Sequence, residues 1–490
     1  MQHIEQEYQI PQENICVIAQ SVGAVLVSTW LHDYAPKIRC AVLASPAFKV
    51  KLYVPFARQG LALWSKVKGN FFVNSYVKAH YLTHNKDRQE SFNQDPLITR
   101  SISARILLGL YEAAERVVAD AQAITTPIQL FISGADWVVH HKPQHDFYNH
   151  LASHIKERHV MSGFYHDTLG EQNNHLVFEP MRRFIRERFE APLQTIDCTQ
   201  AHIAGPSRVE ADELATPLSP YSPRGLFWAS YRALMKLGSR WSEGLRIGQE
   251  TGYDSGSTLD YVYQNQPQGT NAFGRLVDKN YLNAIGWRGI RQRKANIAKA
   301  INLAMTKLRE VGKPVDVLDI ASGHGRYVLD ALTAENHPDS VRLRDYSSIN
   351  VAAGRKLIAE RGLQEIVSFD EVNAFDPANY QALTPRPTLG IVSGLHELFA
   401  DNDLIMHSLN GFGTAIETGG YLIYTGQPWH PQLELIARCL TSHKEGSPNW
   451  VMRRRSQQEM DQLVEKAGFR KIHQWIDEDG IFTVSLAVKI

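Results

Sequence analysis

Ser21 stands in "AQSVGA", with Ala19 two places before it and Gly23 two places after. A turn from strand to helix exposes a hydroxyl only where its flanking residues are small. The run "ICVI" ahead of this turn is strand-like, and "GAVLVSTWLHDY" behind it is helical. A helix starting there aims backbone N–H groups and the positive end of its dipole at an oxyanion. A serine hydroxyl is a poor nucleophile without a base, and the base needs an orienting acid. Asp136 in "LFISGADWVV" follows a strand-like run, and His166 in "MSGFYHDTLGE" lies in the loop after the next one. Ser21, Asp136 and His166 therefore form an ordered candidate set of nucleophile, acid and base. Taken one at a time, blander readings stand beside this. The "AQSVGA" match can be chance, Asp136 a turn residue, and His166 an exposed loop histidine or a capping partner of Asp167.

A second constellation lies in "VDVLDIASGHGRYVLDAL", residues 315–332. It reads as a buried strand ending at Asp319, then Ala321, Gly323 and Gly325 at alternate positions, then a helix from about Arg326. Small residues in such a turn let a ligand lie against the backbone. The NAD fingerprint needs a third small residue where Val328 stands, and a phosphate-binding Walker loop needs Gly-Lys-Ser/Thr, which is absent. Asp345 in "VRLRDYS" lies 345 − 325 = 20 residues after Gly325, where a carboxylate can accept hydrogen bonds from two ribose hydroxyls. By itself Asp345 also fits a helix N-cap. The next strand leads into "VNAFDPANY", where Asn373 and Asp376 can bond an adenine amino group with Ala374 and Phe375 beside the ring. A fourth strand ends in "IVSGLHELF", placing Ser393, Gly394, His396 and Glu397 at its mouth. A fifth is followed by "YTGQPWHPQLE", with Gln427, Trp429 and His430. His396 can serve as base for an oxygen nucleophile or as a capping or packing histidine. The segment around Gln427 can be substrate-side or an ordinary loop with a buried tryptophan.

The elements that must position these residues alternate short β-branched runs with amphipathic segments, the pattern of parallel sheets covered by helices. Strands are expected at "ICVIAQ", "CAVLASP", "IQLFISG" and "RHVMSG", interrupted by a mostly helical insertion at about 50–122. Residues from about 191 to 223, rich in Pro, Ser, Thr and Ala, read as a linker. Helices are expected at about 224–250 and 281–311, and then strands at "VDVLDIA", "VRLRDY", "IVSFDEV", "LGIVSG", "GYLIYTG" and "FTVSLAVK". The length of 490 residues and 43% hydrophobic content support two or three full cores. A net charge of +1 gives no basic field for nucleic acid. The runs Arg453-Arg454-Arg455 and "GWRGIRQRKAN" read as solvated faces. Four cysteines without a Cys-x-x-Cys pair argue against a zinc site or a disulfide framework and for a reducing, cytoplasmic setting. No metal is expected. No signal peptide is visible, and no apolar run nears the ~18–20 residues that span a membrane.

Residues 1–190 resemble the lysophospholipases and monoacylglycerol lipases of the α/β-hydrolase fold, through "AQSVGA", "GADWVV" and "FYHDTLGE". The insertion at about 50–122 is similar to the cap those enzymes place over an acyl pocket. The resemblance implies ester hydrolysis, with Ser21 as nucleophile, Asp136 as orienter and His166 as base. It also implies several strands ahead of the nucleophile turn and a second oxyanion N–H from a loop following one of them. With twenty residues before Ser21, the expectation is an incomplete sheet whose early strands are missing, leaving an unpaired edge beside "ICVIA". Residues 224–490 resemble class I S-adenosylmethionine-dependent methyltransferases, which implies a Rossmann-like core of seven strands behind N-terminal helices at about 224–311. "DIASGHG" matches the family's glycine loop, with Ala321 in place of its first glycine. "RDYS" (Asp345, Tyr346) matches the ribose site and "NAFD" the adenine site. "RRRSQQEMDQLVEKAGFRKI" is similar to the last helix and the turn before the final strand pair. The whole is similar to bacterial hydrolase–methyltransferase fusions, of α/β class in two domains. The implied cofactor is S-adenosylmethionine, bound by Asp319, Ala321, Gly323, Gly325, Asp345, Tyr346, Asn373, Ala374, Phe375 and Asp376.

The reading is a methyltransferase acting on a small molecule or lipid-like substrate, fused to a serine ester hydrolase. Beside it stand a methyltransferase with an inactive hydrolase-like binding or dimerising module, and an RNA methyltransferase. The third is disfavoured by the charge and by the absence of Asn/Asp-Pro-Pro-Tyr at the fourth strand. Ser393, His396 and Gln427 are the candidate substrate-side residues. No nucleic-acid partner is expected, and a homo-oligomer is compatible with the sequence.

Overall fold

A computed structural model describes residues 2–333, 337–444, 446 and 449–490. It divides into two compact units, Met1–Ile196 and Asp197–Ile490. Among the described residues no helix is long and apolar enough to cross a membrane.

The first unit is built on four parallel strands, β1 (Cys16–Gln20), β2 (Cys40–Ala44), β5 (Ile128–Ser133) and β6 (Lys156–Met161), in the order β1-β2-β5-β6. Every residue of β2 and β5 is buried, as expected of strands covered on both faces. Their side chains alternate between two cores. Ala41, Leu43, Ile128, Leu130 and Ile132 pack with Val25, Leu31 and Val117 on one side. Val42, Ala44 and Phe131 pack with Val177 and Phe184 on the other. β1 lies at one edge, and its Ile18 is 48% exposed. Cys16 and Cys40, far apart in the chain, face each other in register across β1 and β2 as free thiols. The insertion holds helices Ala57–Lys68, Ala79–Leu82, Lys86–Gln94 and Ala104–Ala119. It also holds a short antiparallel pair absent from the sequence reading, β3 (Phe72–Asn74) with β4 (Ser101–Ser103).

The second unit carries seven strands: β7 (Asp316–Ile320), β8 (Ser340–Asp345), β9 (Val367–Glu371), β10 (Leu389–Val392), β11 (Tyr421–Gly426), β12 (Phe469–Ile476) and β13 (Thr483–Lys489). Their order is β12-β13-β11-β10-β7-β8-β9, parallel except for β13, which runs against both neighbours. After β7 the chain moves outward through β8 and β9, then returns to the other side of β7 for β10 and β11. That reversal opens a crevice at the carboxyl end of β7.

Three sequence expectations need correction here. The segment read as a linker contains helices Ala201–Ala204 and Pro206–Ala215 within the second unit. Its period is short, but Leu214 enters a core with Tyr253 and Trp287, and Arg438 donates to the carbonyls of Glu213 and Thr216. The helix expected over 224–250 is two, Pro223–Gly238 and Glu243–Thr251: the first ends at Gly238, and Ser242 caps the second by accepting from Leu245 N–H (3.3 Å). The arginine triplet is not a solvated face: Arg453, Arg454 and Arg455 are 2%, 7% and 5% exposed, and in the second run Arg293 is buried while Arg288 is exposed. Each buried arginine finds carbonyls or carboxylates distant in sequence, which a local reading of charge does not see.

Candidate functional site

In the first unit, Ser21 sits between β1 and the helix Val22–Tyr34. Its backbone is at φ 54°, ψ −119°. That conformation costs an L-residue on the order of 1–3 kcal/mol and persists only where the surroundings impose it. Here the Ser21 N–H donates to Ala44 O (2.9 Å), and Ala24 N–H and Ala47 N–H donate back to Ser21 O. Ser21 Oγ lies 2.7 Å from His166 Nε2, and His166 Nδ1 lies 2.7 Å from Asp136 Oδ2. A carboxylate accepts only, so Nδ1 carries the ring proton and Nε2 faces the serine hydroxyl as acceptor. Asp136 Oδ1 takes the N–H groups of Val138 (2.7 Å) and Val139 (3.0 Å). Burial pushes the Asp136 carboxyl up, but the His166 ring and these two N–H groups outweigh it and hold it below its ordinary value. The His166 loop is tied down by Gln20, which donates to Asp167 (2.8 Å) and accepts from Leu169 N–H (2.9 Å). Val22 opens the helix directly after Ser21, so its N–H has no intrahelical acceptor.

In the second unit, the loop after β7 lines a cavity of about 360 Å³. Ala321, Gly323, Gly325, Asp345, Tyr346, Asn373, Ala374, Phe375 and Ser393 all line it, brought together from the carboxyl ends of β7, β8, β9 and β10. Gly323 and Gly325 have φ of 58° and 74°. A Cβ on Gly325 would stand 2.5 Å from Leu343 Cδ1, and one on Gly323 would reach Gly256 Cα at 3.4 Å. Ala321 tolerates φ 52° at this turn, where only glycine is comfortable. Asp345 is buried on this lining. Its Oδ2 accepts from Gly323 N–H (2.9 Å), and Oδ1 from Ser347 N–H (2.9 Å) and Asn350 Nδ2 (3.0 Å). A carboxylate offers about four acceptor sites, so it both shapes the loop and keeps capacity for a ligand hydroxyl. Ser393 Oγ is buried without a partner among the described residues.

Three sequence candidates fall elsewhere. Asp319 is fully buried beneath the loop and off the cavity lining, with Tyr327 Oη donating to its Oδ1 at 2.6 Å. It supports the loop rather than facing a ligand. Asp376 turns away to cap Ala378 N–H (3.0 Å), the ordinary fate of an aspartate ahead of a proline turn. His396 is buried against the helix Asn402–Ala415, with Nε2 2.9 Å from Ser408 Oγ, and burial pushes its ring down to about 3. It lines neither this cavity nor the one beside it. Its neighbour Glu397 and the predicted Gln427 line the adjoining cavity, together with His430 and Arg293. Arg293 carries no local signal, because its helix Ile285–Glu310 reads as amphipathic and basic. Gly256, which opens the helix Gly256–Gln264, and His443 and Lys444 on the glycine-loop cavity lie in segments that carry no motif.

Burial pushes the Asp319 carboxyl up to about 7, from an ordinary value of 3.8. Between those values the folded state keeps a proton that the unfolded chain has released, so stability falls as pH rises from about 4 to about 7. The urea midpoint of the second unit is expected to drop across that window more in wild type than in Asp319→Asn. Equal drops would remove Asp319 as the source.

Residues 181–489 match the model of a family described as "Putative methyltransferase", and residues 1–173 match that of the serine aminopeptidases. The chain is similar to the uncharacterized protein YnbC of Escherichia coli, 59% identical over 481 residues, or 98% of this chain and 82% of that protein. It is similar to the phospholipase YtpA of Bacillus subtilis, 25% identical over 176 residues, or 35% of this chain and 67% of that one. Among solved structures, a monoacylglycerol lipase of Paleococcus ferrophilus is 18% identical with a TM-score of 0.35, over 38% of this chain and 72% of that one. A SAM-dependent methyltransferase of Methanosarcina mazei is 16% identical with a TM-score of 0.29, over 36% of this chain and 93% of that one.

Proposed function

The chain belongs to the methyltransferase family matched over residues 181–489, with a hydrolase-family part ahead of it, and from this premise we propose that the second unit transfers a methyl group from S-adenosylmethionine to a small-molecule or lipid-like acceptor. The observation that carries the reading is the glycine-loop cavity lined by the buried Asp345 carboxylate, which accepts from Gly323 N–H. The residues present fit the cofactor. The Gly323–Gly325 turn leaves no room for a Cβ at Gly325, Asp345 can accept from ribose hydroxyls, and Ala374 and Phe375 offer apolar flanks for a base. When bound, the cofactor supplies an electrophilic methyl carbon on a sulfonium. What the chain supplies is position and dryness: catalysis of such a displacement rests on holding the nucleophile in line and excluding water.

Calorimetric titration of S-adenosylmethionine tests this. Asp345→Ala removes a charged acceptor and is expected to weaken binding about 10–100-fold. Asp345→Asn, which can still accept from Gly323 N–H, is expected to fall between. Unchanged affinity in both would sink the assignment.

For the first unit we propose ester hydrolysis through Ser21. His166 Nε2 takes the hydroxyl proton as Ser21 Oγ attacks the ester carbonyl. The imidazolium then returns the proton to the leaving alcohol, and Asp136 stabilises the ring while it is charged; water, giving a proton to His166 Nε2, then attacks the acyl-Ser21 carbonyl, and the acid leaves as that proton returns to Ser21 Oγ. The relay of two 2.7 Å contacts in an otherwise buried His–Asp pair supports this reading.

A further inference from the structure

Beside the glycine-loop cavity lies a second one of about 330 Å³, and Asp254, Leu259, Gly394 and Leu398 line both. Its two ends differ in chemistry. The body is apolar, walled by Met235, Val277, Trp287, Ile436, Trp450 and Phe482. The other end is polar and comes from the turns after β10 and β11: Glu397, Gln427 and His430. Gln427 is buried on this lining. His430 Nδ1 accepts from Gln432 N–H (3.0 Å), so its ring proton sits on Nε2. Burial pushes that ring down to about 4, which leaves it an uncharged donor at neutral pH. Its Nε2 lies 3.1 Å from where a Cβ of Gly286 would stand, so the glycine keeps that space open.

The charges on the lining are already matched or negative. Arg293, the one cation among the described lining residues, has Nη1 3.8 Å from Glu397 Oε1 and sits over the Phe482 ring at 5.1 Å. Glu397 Oε1 also accepts from Thr425 Oγ1 (2.7 Å), and its Oε2 has no partner among the described residues. Asp254 is taken up by Ser442 Oγ (2.7 Å) and His443 N–H (2.8 Å). A carboxylate ligand would meet two carboxylates and one compensated guanidinium. An ammonium ligand would have to share Glu397 with the Arg293 cation and Thr425, and would set a donor against the N–H of His430.

We propose that this cavity binds the methyl acceptor, and that the acceptor is an uncharged amphipathic alcohol or phenol. The apolar body lies among the helices. The hydroxyl lies at the polar end, donating to Glu397 and accepting from His430 Nε2 or the Gln427 amide. This rests on the methyl-transfer reading. The acceptor oxygen forms its bond to the methyl carbon as the carbon–sulfur bond breaks and the sulfur keeps that electron pair, and the hydroxyl proton passes to Glu397.

The test uses the full chain and calorimetric titration with three probes of one shape: 4-propylphenol, 4-propylbenzoate and 4-propylbenzylamine. The phenol is expected to bind, and the benzoate and the amine at least about tenfold more weakly. Glu397→Gln is expected to weaken the phenol about tenfold. Met235→Trp, which fills the body of the cavity from the helix Pro223–Gly238, is expected to abolish phenol binding. Absence of phenol binding, tighter binding of either charged probe, or indifference to both variants would overturn the proposal. S-adenosylmethionine titrated in the same samples separates the two levels. If it fails to bind wild type, the methyl-transfer reading falls, while the phenol titration still decides what the cavity takes.

Discussion

Asp136→Asn is expected to slow capture of a fluorophosphonate probe at Ser21 by about 10⁴. The size follows from the tautomer. In the native site Asp136 Oδ2 accepts from His166 Nδ1 at 2.7 Å, which leaves Nε2 free to take the Ser21 proton. An asparagine amide presents a donor at that place, so the imidazole proton moves to Nε2 and the base is lost. The loop itself is expected to hold, because the asparagine carbonyl can still accept from Val138 and Val139 as Asp136 Oδ1 does. The effect is therefore on reactivity and not on folding, and equal thermal midpoints would show that. Intact-mass kinetics with adduct mapping measures it, with Ser21→Ala as the zero. Labelling that is equally fast in Asp136→Asn, or mapped away from Ser21, would leave the first unit as a binding module and not a hydrolase.

The residues legible in the sequence share one property: each sits within a few positions of a strand's carboxyl end. Parallel sheets bring those ends together, so Ser21, Asp136 and His166, or Gly323, Asp345 and Phe375, converge once the strands are found. What the sequence hid depends on direction within a turn or on partners far along the chain. His396 and Glu397 are adjacent, but the short 3-10 turn His396–Leu398 sends the first toward Ser408 and the second toward the acceptor cavity. Asp376 reads as a ligand in the sequence and is a cap in the structure, because the nearby Ala378 N–H takes its carboxylate. The segment 191–223 reads as a linker because its few apolar residues lack a period. Its place in the second unit comes from polar contacts such as Arg454 to Glu210, which composition does not announce.

The arginine triplet is the extreme case, and it carries the largest expected effect on stability. Arg453 is among the largest fully buried side chains. Its guanidinium donates to Glu459 Oε1 (2.7 Å), Asn402 Oδ1 (2.8 Å), Ser207 Oγ (2.9 Å) and Ala400 O (2.8 Å). Glu459 in turn accepts from Asn402 Nδ2 (2.7 Å). Glu459→Ala leaves that buried guanidinium without its counter-ion, and the expected loss is about 3–5 kcal/mol of unfolding free energy, read from urea denaturation. Replacing both partners, as in Arg453→Met with Glu459→Leu, removes the stranded charge and is expected to recover part of the loss. A single variant within about 1 kcal/mol of wild type would show the pair to be dispensable. The cluster also bears on chemistry. Arg455 donates to His396 O (2.6 Å) and Phe399 O (2.6 Å), the turn that presents Glu397 to the cavity, and its Nε shares Asn402 Oδ1 (2.8 Å) with Arg453. Loosening Glu459 therefore loosens the acceptor side before it touches the Asp345 side. At denaturant concentrations well below the midpoint, Glu459→Ala is expected to weaken 4-propylphenol more than it weakens S-adenosylmethionine. That order follows from which loop the buried arginines hold.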